Sequence, residues 1–407
     1  MTPRAAAIHA LDRWLRTGAF PSRALAPSSP FALEIVQGVL RNKSALEFAI
    51  APFCRKSPPH AAMAALLAGA WQLLFGDIPA YAALNETVSA ARSLRIATPG
   101  FVNAVLRNVL NGKDAILAKL DAAPLHIRTS FPQPLVERWT ELYGADVAED
   151  LCEAGRGIPP VTAYPIENGV VGQPFTVPHG TAVQALPGFA DGAFIVQDAA
   201  AAATVSDFLA PRPGETILDC CAAPGGKTIQ AALAVGPAGH VVALDNSEAR
   251  LARLRDNLSR VHLSGRVETA LCDATSPELA AMLHGRRFDA ALIDAPCSNS
   301  GVMARKPDAR WRWSMDETRR VAQVQRGILR NVATLDVGRI VYSTCSIDRA
   351  ENEDVAIAFA CECGWKISSG RTLLPGGGAR YRFGRDGKFL PSAWHDGAFA
   401  ALLVRAI

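Results

Sequence analysis

The chain lacks an apolar run long enough to span a membrane. Its longest, Ala61 to Gly76, falls short of the ~18 residues such a helix needs and reads as a buried helix. It lacks a secretory signal, because Arg4, Asp12, Arg13 and Arg16 interrupt the apolar residues between Met1 and Phe20. It lacks a disulfide framework too. Nine cysteines, an odd number, lie scattered along 407 residues, which suits reduced thiols in a cytoplasm. No internal repeat is visible. What remains is a globular chain with 49% hydrophobic residues, long enough for two to three domains.

Net charge is small, +4, but unevenly placed. Residues 1–112 hold 11 Lys and Arg against 5 Asp and Glu, leaving 31 against 33 in the rest. A basic module on a near-neutral body suits a polyanion such as RNA, although a merely solvated helical face would look the same. Apolar residues recur at helical spacing in Ala6–Leu15, Phe31–Leu40, Ala61–Phe75, Ala82–Leu94 and Phe101–Leu110. This predicts an all-helical domain over residues 1–125. A mixed connector follows over 126–200, with one helix near Pro134–Ala154 and extended pieces at Val161–Ile166 and Phe175–Pro178. From residue 201 to 407, short apolar runs alternate with helical stretches. The runs are Thr216–Asp219, His240–Leu244, Arg266–Leu271, Ala290–Ile293 and Arg339–Tyr342. Such alternation predicts an α/β domain whose mainly parallel sheet binds ligands beyond its carboxyl edge.

The run Thr216–Asp219 leads into Cys220-Cys221-Ala222-Ala223-Pro224-Gly225-Gly226-Lys227-Thr228 and then a helix. Small residues there let backbone approach a ligand, and a helix N-terminus offers free N–H groups. Asp245, ending the next strand, is placed to accept from ribose hydroxyls. Asp273, after the third, is placed to take the exocyclic amine of an adenine. The loop lacks G-x-G-x-x-G, against a dinucleotide dehydrogenase. Gly226-Lys227-Thr228 matches the end of a phosphate-binding loop, but Cys221 stands where its first glycine belongs. A nucleoside cofactor, a nucleotide hydrolase and a plain tight turn stay open on this loop alone.

The cysteines decide the chemistry. Cys297 follows the strand ending in Asp294, as Asp294-Ala295-Pro296-Cys297-Ser298, and Cys345 follows the next, as Ser343-Thr344-Cys345-Ser346. Both emerge at the predicted ligand edge. Carbon 5 of cytosine is too poor a nucleophile to take a methyl group directly. A thiolate adding to carbon 6 makes it carbanion-like, and cysteine is both a strong nucleophile and a workable leaving group. Asp294 is placed to activate the base at its N3 and N4 edge. Most free cysteines are small core residues, the reading for Cys54, Cys152 and Cys220. Cys272 packs beside Asp273. Cys361 and Cys363 have no second ligand pair, so no metal site is expected.

These motifs, with Glu351-Asn352-Glu353 and His395-Asp396-Gly397-Ala398-Phe399, resemble the Sun/Nop2 family of RNA cytosine-5 methyltransferases over roughly residues 194–407. The resemblance implies a Rossmann-like, S-adenosylmethionine-dependent domain with a mixed, mainly parallel sheet. It implies Cys345 as nucleophile, Cys297 in product release, and Cys221, Ala222, Ala223, Pro224, Gly225, Gly226, Lys227, Asp245, Asp273 and Asp294 around the cofactor. Stretches at Gly38–Asn42, Ile78–Glu86 and Phe101–Asn108 are similar to the NusB-like domain of the branch that modifies small-subunit ribosomal RNA. Transfer RNA and a non-catalytic RNA-binding role are the alternatives, and a monomer acting on an unpaired or flipped cytosine is expected. A DNA enzyme would use the Pro-Cys thiol as its nucleophile. The chain departs from the family at Val161–Pro165, where an Arg-x-Asn strand is usual, and at Ser298-Asn299-Ser300-Gly301, where S-G-T-G is commoner. The segment from Val161–Pro165 to Val196-Gln197-Asp198 is also short, so the family's middle subdomain is expected to be curtailed here. Finally, Arg305 to Trp313 interleaves basic and aromatic residues, a pattern for phosphates and splayed bases, or for tryptophans packed on the sheet.

Overall fold

Thr2 starts the first helix by accepting from Ala5 N, and Gly18 ends it in the left-handed region. The structure, a computed structural model, describes residues 1–21, 25, 29–96, 99–178, 180–376 and 395–406. By packing, the chain forms two compact units. The first takes Met1–Ile158 together with Met303–Trp313, and the second takes Pro159–Val302 with Ser314–Ile407.

The first unit is helical. Its elements are α1 (Pro3–Thr17), α2 (Pro30–Ile50), α3 (His60–Leu74), α4 (Ala80–Ser93), α5 (Pro99–Asn111), α6 (Lys113–Asp121), α7 (Leu125–Arg128), α8 (Gln133–Tyr143) and α9 (Ala145–Ala154). Helix α3 carries apolar residues nearly all round and is accordingly central, packing on α1, α2, α4 and α5. Its buried Gln72 is satisfied, donating to Ala68 O and Thr87 Oγ1 and accepting from Arg4 Nε at 2.7 Å. The single helix expected over Pro134–Ala154 is instead two. Gly144 between α8 and α9 takes φ 85° and ψ 163°, which breaks the helical path.

The stretch 303–313 is built into this unit. Helix α2 leaves helical geometry at Asn42, and the carbonyls just before it accept from side chains of that stretch. Trp311 Nε1 donates to Leu40 O at 2.8 Å. The Arg310 guanidinium, fully buried, donates to the carbonyls of Arg41, Ser130, Gly155 and Met303. It also lies 3.9 Å from the Phe131 ring centre. Burial first, then the charge of Arg41, lowers its pKa to about 9. The expectation that this basic and aromatic stretch meets RNA is corrected for Arg310, which is fully buried with its Nη1 and Nη2 groups bonded to carbonyl oxygens.

The second unit holds a seven-stranded sheet among the described residues, ordered β10-β11-β9-β8-β5-β6-β7. Its strands are β5 (Thr216–Asp219), β6 (His240–Asp245), β7 (Val267–Leu271), β8 (Arg287–Asp294), β9 (Asp336–Thr344), β10 (Trp365–Leu373) and β11 (Ala398–Arg405). Strands β5 to β9 run parallel, while β11 and β10 add antiparallel at one edge. Neighbouring residues feed opposite faces. Leu218, Val242 and Ala291 enter one core, and Ile217, Val241 and Ala290 the other. Helices α11 (Gly226–Val235), α12 (Glu248–Arg260), α13 (Glu278–Met282), α14 (Met315–Ala333) and α15 (Glu353–Cys363) cover those faces. The mixed, mainly parallel sheet expected from the sequence is thus observed. The stretch 126–200 divides at Ile158. Its helices pack in the first unit, whereas β1 (Val161–Glu167), β2 (Val170–Val171), β3 (Phe175–Val177), β4 (Phe194–Val196) and α10 (Ala199–Ala203) belong to the second. There β1 pairs antiparallel with β2, β3 and β4.

Replacing Arg310 with Met strands four carbonyl acceptors in the interior. The expected cost is roughly 3 kcal/mol, or a fall of about 6–12 °C in melting temperature for a unit of this size. Differential scanning calorimetry of the full chain checks it. A shift under about 2 °C would mean the guanidinium contributes little.

Candidate active site

Asp219, Asp245 and Asp294 end β5, β6 and β8, and Cys345 follows β9, so a parallel sheet brings all four to one edge. The turn after β5 is shaped by glycine. Gly225 caps α11 with φ 112°, and a Cβ there would meet Leu254 Cδ1 at 2.4 Å. Asp219 is buried beneath the turn, accepting from Thr228 Oγ1 at 2.7 Å and Cys221 N at 3.4 Å. Asp245 accepts from Ala223 N and Ser247 N, and Arg250 reaches it at 2.8 Å. Asp273 accepts from the backbone and hydroxyl of Thr275. Cys221, Ala223, Asp245, Asp273 and Asp294 line one cavity of about 410 Å³, joined by Pro296, Arg250 and Arg320. Ala222, Pro224, Gly225 and Gly226 form the turn behind it.

This lining fits S-adenosylmethionine. Asp245 and Asp273 are carboxylates with further accepting capacity for hydroxyl and amine donors. Asp294, also on the cavity wall, would offer negative charge to a sulfonium. Asp294 is already engaged, accepting from Lys227 Nζ at 2.7 Å and Ser343 Oγ at 3.0 Å. Burial alone would lower the Lys227 pKa, but the charge and hydrogen bond of Asp294 outweigh it and hold the ammonium above the ordinary lysine range. Sequence reading placed Lys227 only in the cofactor loop. Its partnership with Asp294 joins the first turn of α11 to the end of β8, far apart in the chain.

The two thiols meet. Cys297 Sγ lies 3.1 Å from Cys345 Sγ. That hydrogen bond first, and burial second, raise the Cys297 pKa well above the thiol range. Asn299, with φ 63°, donates to Cys297 O and accepts from Cys345 Sγ at 3.5 Å. Gly301 N donates to Cys345 O, and Gly397 N donates to Gly301 O. Below lies Glu351, fully buried, accepting from Ser298 N at 2.7 Å, Ser346 Oγ at 2.9 Å and Gln325 Nε2 at 3.3 Å. Asn352 donates to Ser346 O and accepts from Thr344 Oγ1. The sequence marks Glu351 and Asn352 only as a motif. Gln325 and Asn299 carry no signal of their own, since helix α14 and a left-handed turn bring them in. Cys220 and Cys272 are free thiols that also line the cavity, Cys54, Cys152, Cys361 and Cys363 are free thiols elsewhere, and among the described residues no His, Cys, Asp and Glu cluster suits a metal.

Burial pushes the Asp219 carboxyl up to about 7, against the hydrogen bond from Thr228. The unfolded carboxyl titrates near 4, so between about pH 4 and 7 the folded chain binds the extra proton. Stability therefore falls as pH rises through that window. The Asp219→Asn variant is expected to lose that slope. Melting temperatures from pH 5 to 8 check it, and parallel curves for the two proteins would refute it.

Comparison with known proteins agrees with this geometry. The family model described as 16S rRNA methyltransferase RsmB/F matches residues 206–404, and that of the NusB family matches residues 1–111. The Ribosomal RNA small subunit methyltransferase B of Vibrio cholerae is 38% identical over 326 residues, 72% of this chain and 71% of that protein. The protein of the same name from Shigella boydii is 34% identical over 378 residues, 84% of this chain and 86% of that one. The solved structure of PH0851 is similar in fold, with a TM-score of 0.73 at 23% identity, covering 100% of this chain and 99% of that one. NSun6 from Pyrococcus horikoshii, solved with SFG, gives 0.56 at 18% identity, covering 68% and 99%. A chain with these matches, a mainly parallel sheet and a helical N-terminal unit belongs to the RsmB/F family of 16S rRNA methyltransferases.

Proposed function

We propose that this chain methylates carbon 5 of a cytosine in small-subunit ribosomal RNA, with S-adenosylmethionine as methyl donor. The observation that carries the reading is the contact of Cys297 and Cys345 at the sheet edge that also bears the Asp294–Lys227 pair. Bound S-adenosylmethionine supplies an electrophilic methyl group on a sulfonium. Asp245 would accept from its ribose hydroxyls and Asp273 from its adenine amine, with the turn from Cys221 to Lys227 helping to hold it. Cys345 Sγ, as thiolate, bonds to carbon 6 of the cytosine, which moves an electron pair toward carbon 5. Asp294 accepts from the exocyclic amine while the Lys227 ammonium offsets negative charge growing on the ring. Carbon 5 takes the methyl group as the sulfur–methyl bond breaks, leaving S-adenosylhomocysteine, and then loses its proton to a base in the solvent. The electron pair of that C–H bond reforms the ring double bond and expels Cys345 as thiolate. Cys297, in contact with Cys345, assists this release.

The basic helical unit engages RNA, largely through phosphates. The target base is unpaired or flipped out of its stack, because Cys345 cannot reach carbon 6 within a duplex. The protein works as a monomer in the cytoplasm, where ribosomal RNA is made. Among the described residues no helix is long and apolar enough to cross a membrane.

Bisulfite sequencing of ribosomal RNA tests the reading in cells lacking the gene and complemented with either protein. One 5-methylcytosine should disappear and return with the wild type but not with Cys345→Ala. An unchanged ribosomal pattern would overturn the substrate. Separately, Cys297→Ala is expected to leave a covalent protein–RNA adduct that survives denaturing electrophoresis. An adduct in Cys345→Ala instead would reverse the two roles.

A further inference from the structure

The loop after Cys297 is bonded, residue by residue, to the segment that begins with Cys345. Ser298 N donates to Glu351 Oε2, and the Ser300 and Ser346 hydroxyls bond at 2.8 Å. Ile347 N donates to Ser300 Oγ at 2.9 Å, and Gly301 N donates to Cys345 O at 3.0 Å. These bonds hold the backbone of Cys345 and of the residues after it, but a side chain can still turn about χ1. Asn299, among them, differs. It takes φ 63°, in the left-handed region, where the related S-G-T-G pattern has a glycine. Any side chain there meets strain that glycine avoids, although asparagine tolerates it better than most.

The side chain of Asn299 reaches the sulfur. Its Nδ2 donates to Cys297 O at 2.9 Å, and its Oδ1 accepts from Cys345 Sγ at 3.5 Å. A carbonyl oxygen can only accept, so the first bond fixes which end of the amide meets Cys297 and leaves the oxygen toward the thiol. That first bond is local, two residues back along the chain. The second crosses 46 residues and ends on the atom that adds to carbon 6.

We propose that Asn299 is a positioning residue for the nucleophile, its carboxamide, anchored on the Cys297 loop, holding the Cys345 side chain in one rotamer before RNA arrives. The inference rests on the RNA methyltransferase reading above. A thiol that turns among three staggered rotamers stands in the attacking one only part of the time, whereas a bonded thiol is oriented beforehand. The Asn299→Gly variant separates this role from support of the loop. Glycine adopts φ 63° without strain, so the turn is kept while the link to the sulfur is lost.

The experiment compares wild type, Asn299→Gly and Asn299→Asp in the full chain. It measures single-turnover methyl transfer to small-subunit ribosomal RNA transcripts over a range of RNA concentrations, calorimetric binding of S-adenosylhomocysteine, and thermal melting. For Asn299→Gly the expected rate constant at saturating RNA is roughly 5-fold lower. The half-saturating RNA concentration and S-adenosylhomocysteine affinity should stay unchanged, with melting within about 2 °C of wild type or higher. Asn299→Asp keeps the size but cannot donate to Cys297 O, so it loses the anchor and slows transfer at least as much. A wild-type rate constant in either variant would overturn the proposal. So would a slower Asn299→Gly protein that also melts lower or binds S-adenosylhomocysteine more weakly, since Asn299 would then only support the loop. If the wild type itself transfers no methyl group to RNA while binding S-adenosylhomocysteine, the underlying reading fails, and the inference with it.

Discussion

One buried carboxylate holds the two sulfur atoms in contact. Glu351 bonds the backbone that follows Cys297 and the hydroxyl that follows Cys345, so both loops are tied to the same group. Burial raises its pKa above the ordinary range, and its bonds with Ser298 and Ser346 pull the other way. The Tyr342 hydroxyl bonds the Glu351 carbonyl, which fixes the motif to β9 itself. Without this brace the 3.1 Å approach of the thiols would depend on two loops alone. Catalysis by covalent addition needs such placement, because small displacements of a nucleophile cost rate steeply.

Electrostatics at the sheet edge follow the same economy of parts. Parallel pairing aligns strand ends, and those of β5, β6 and β8 each contribute one acid. Three have separate surroundings. Asp219 is enclosed and takes a raised pKa. Asp245 is met by Arg250, and Asp294 by Lys227. A row of carboxylates is thereby divided into one buried group and two paired ones.

The stretch 303–313 shows how a motif can mislead. Alternating basic and aromatic residues suggest nucleic acid, but Arg310 is fully buried and its bonds go to four carbonyls. An arginine without a carboxylate nearby is indistinguishable in sequence from one that faces phosphate. What separates them is a kinked helix, α2, with carbonyls in need of donors.

The sequence alone determined the class of fold and the chemistry. Strand and helix periods marked the order of elements, and the Pro-Cys and Thr-Cys motifs marked the two cysteines that the structure brings together, because these signals are local. It did not show that the helix over Pro134–Ala154 breaks at Gly144, since a glycine is also tolerated within a helix. Nor did it show that Lys227 pairs with Asp294 or that Gln325 braces the Cys297 loop. It gave no sign that the Asn299 carboxamide reaches the Cys345 sulfur. Those facts join residues far apart in the chain. Only the tertiary structure decided them, because a hydrogen bond is set by distance and direction in space, which spacing along a chain does not fix.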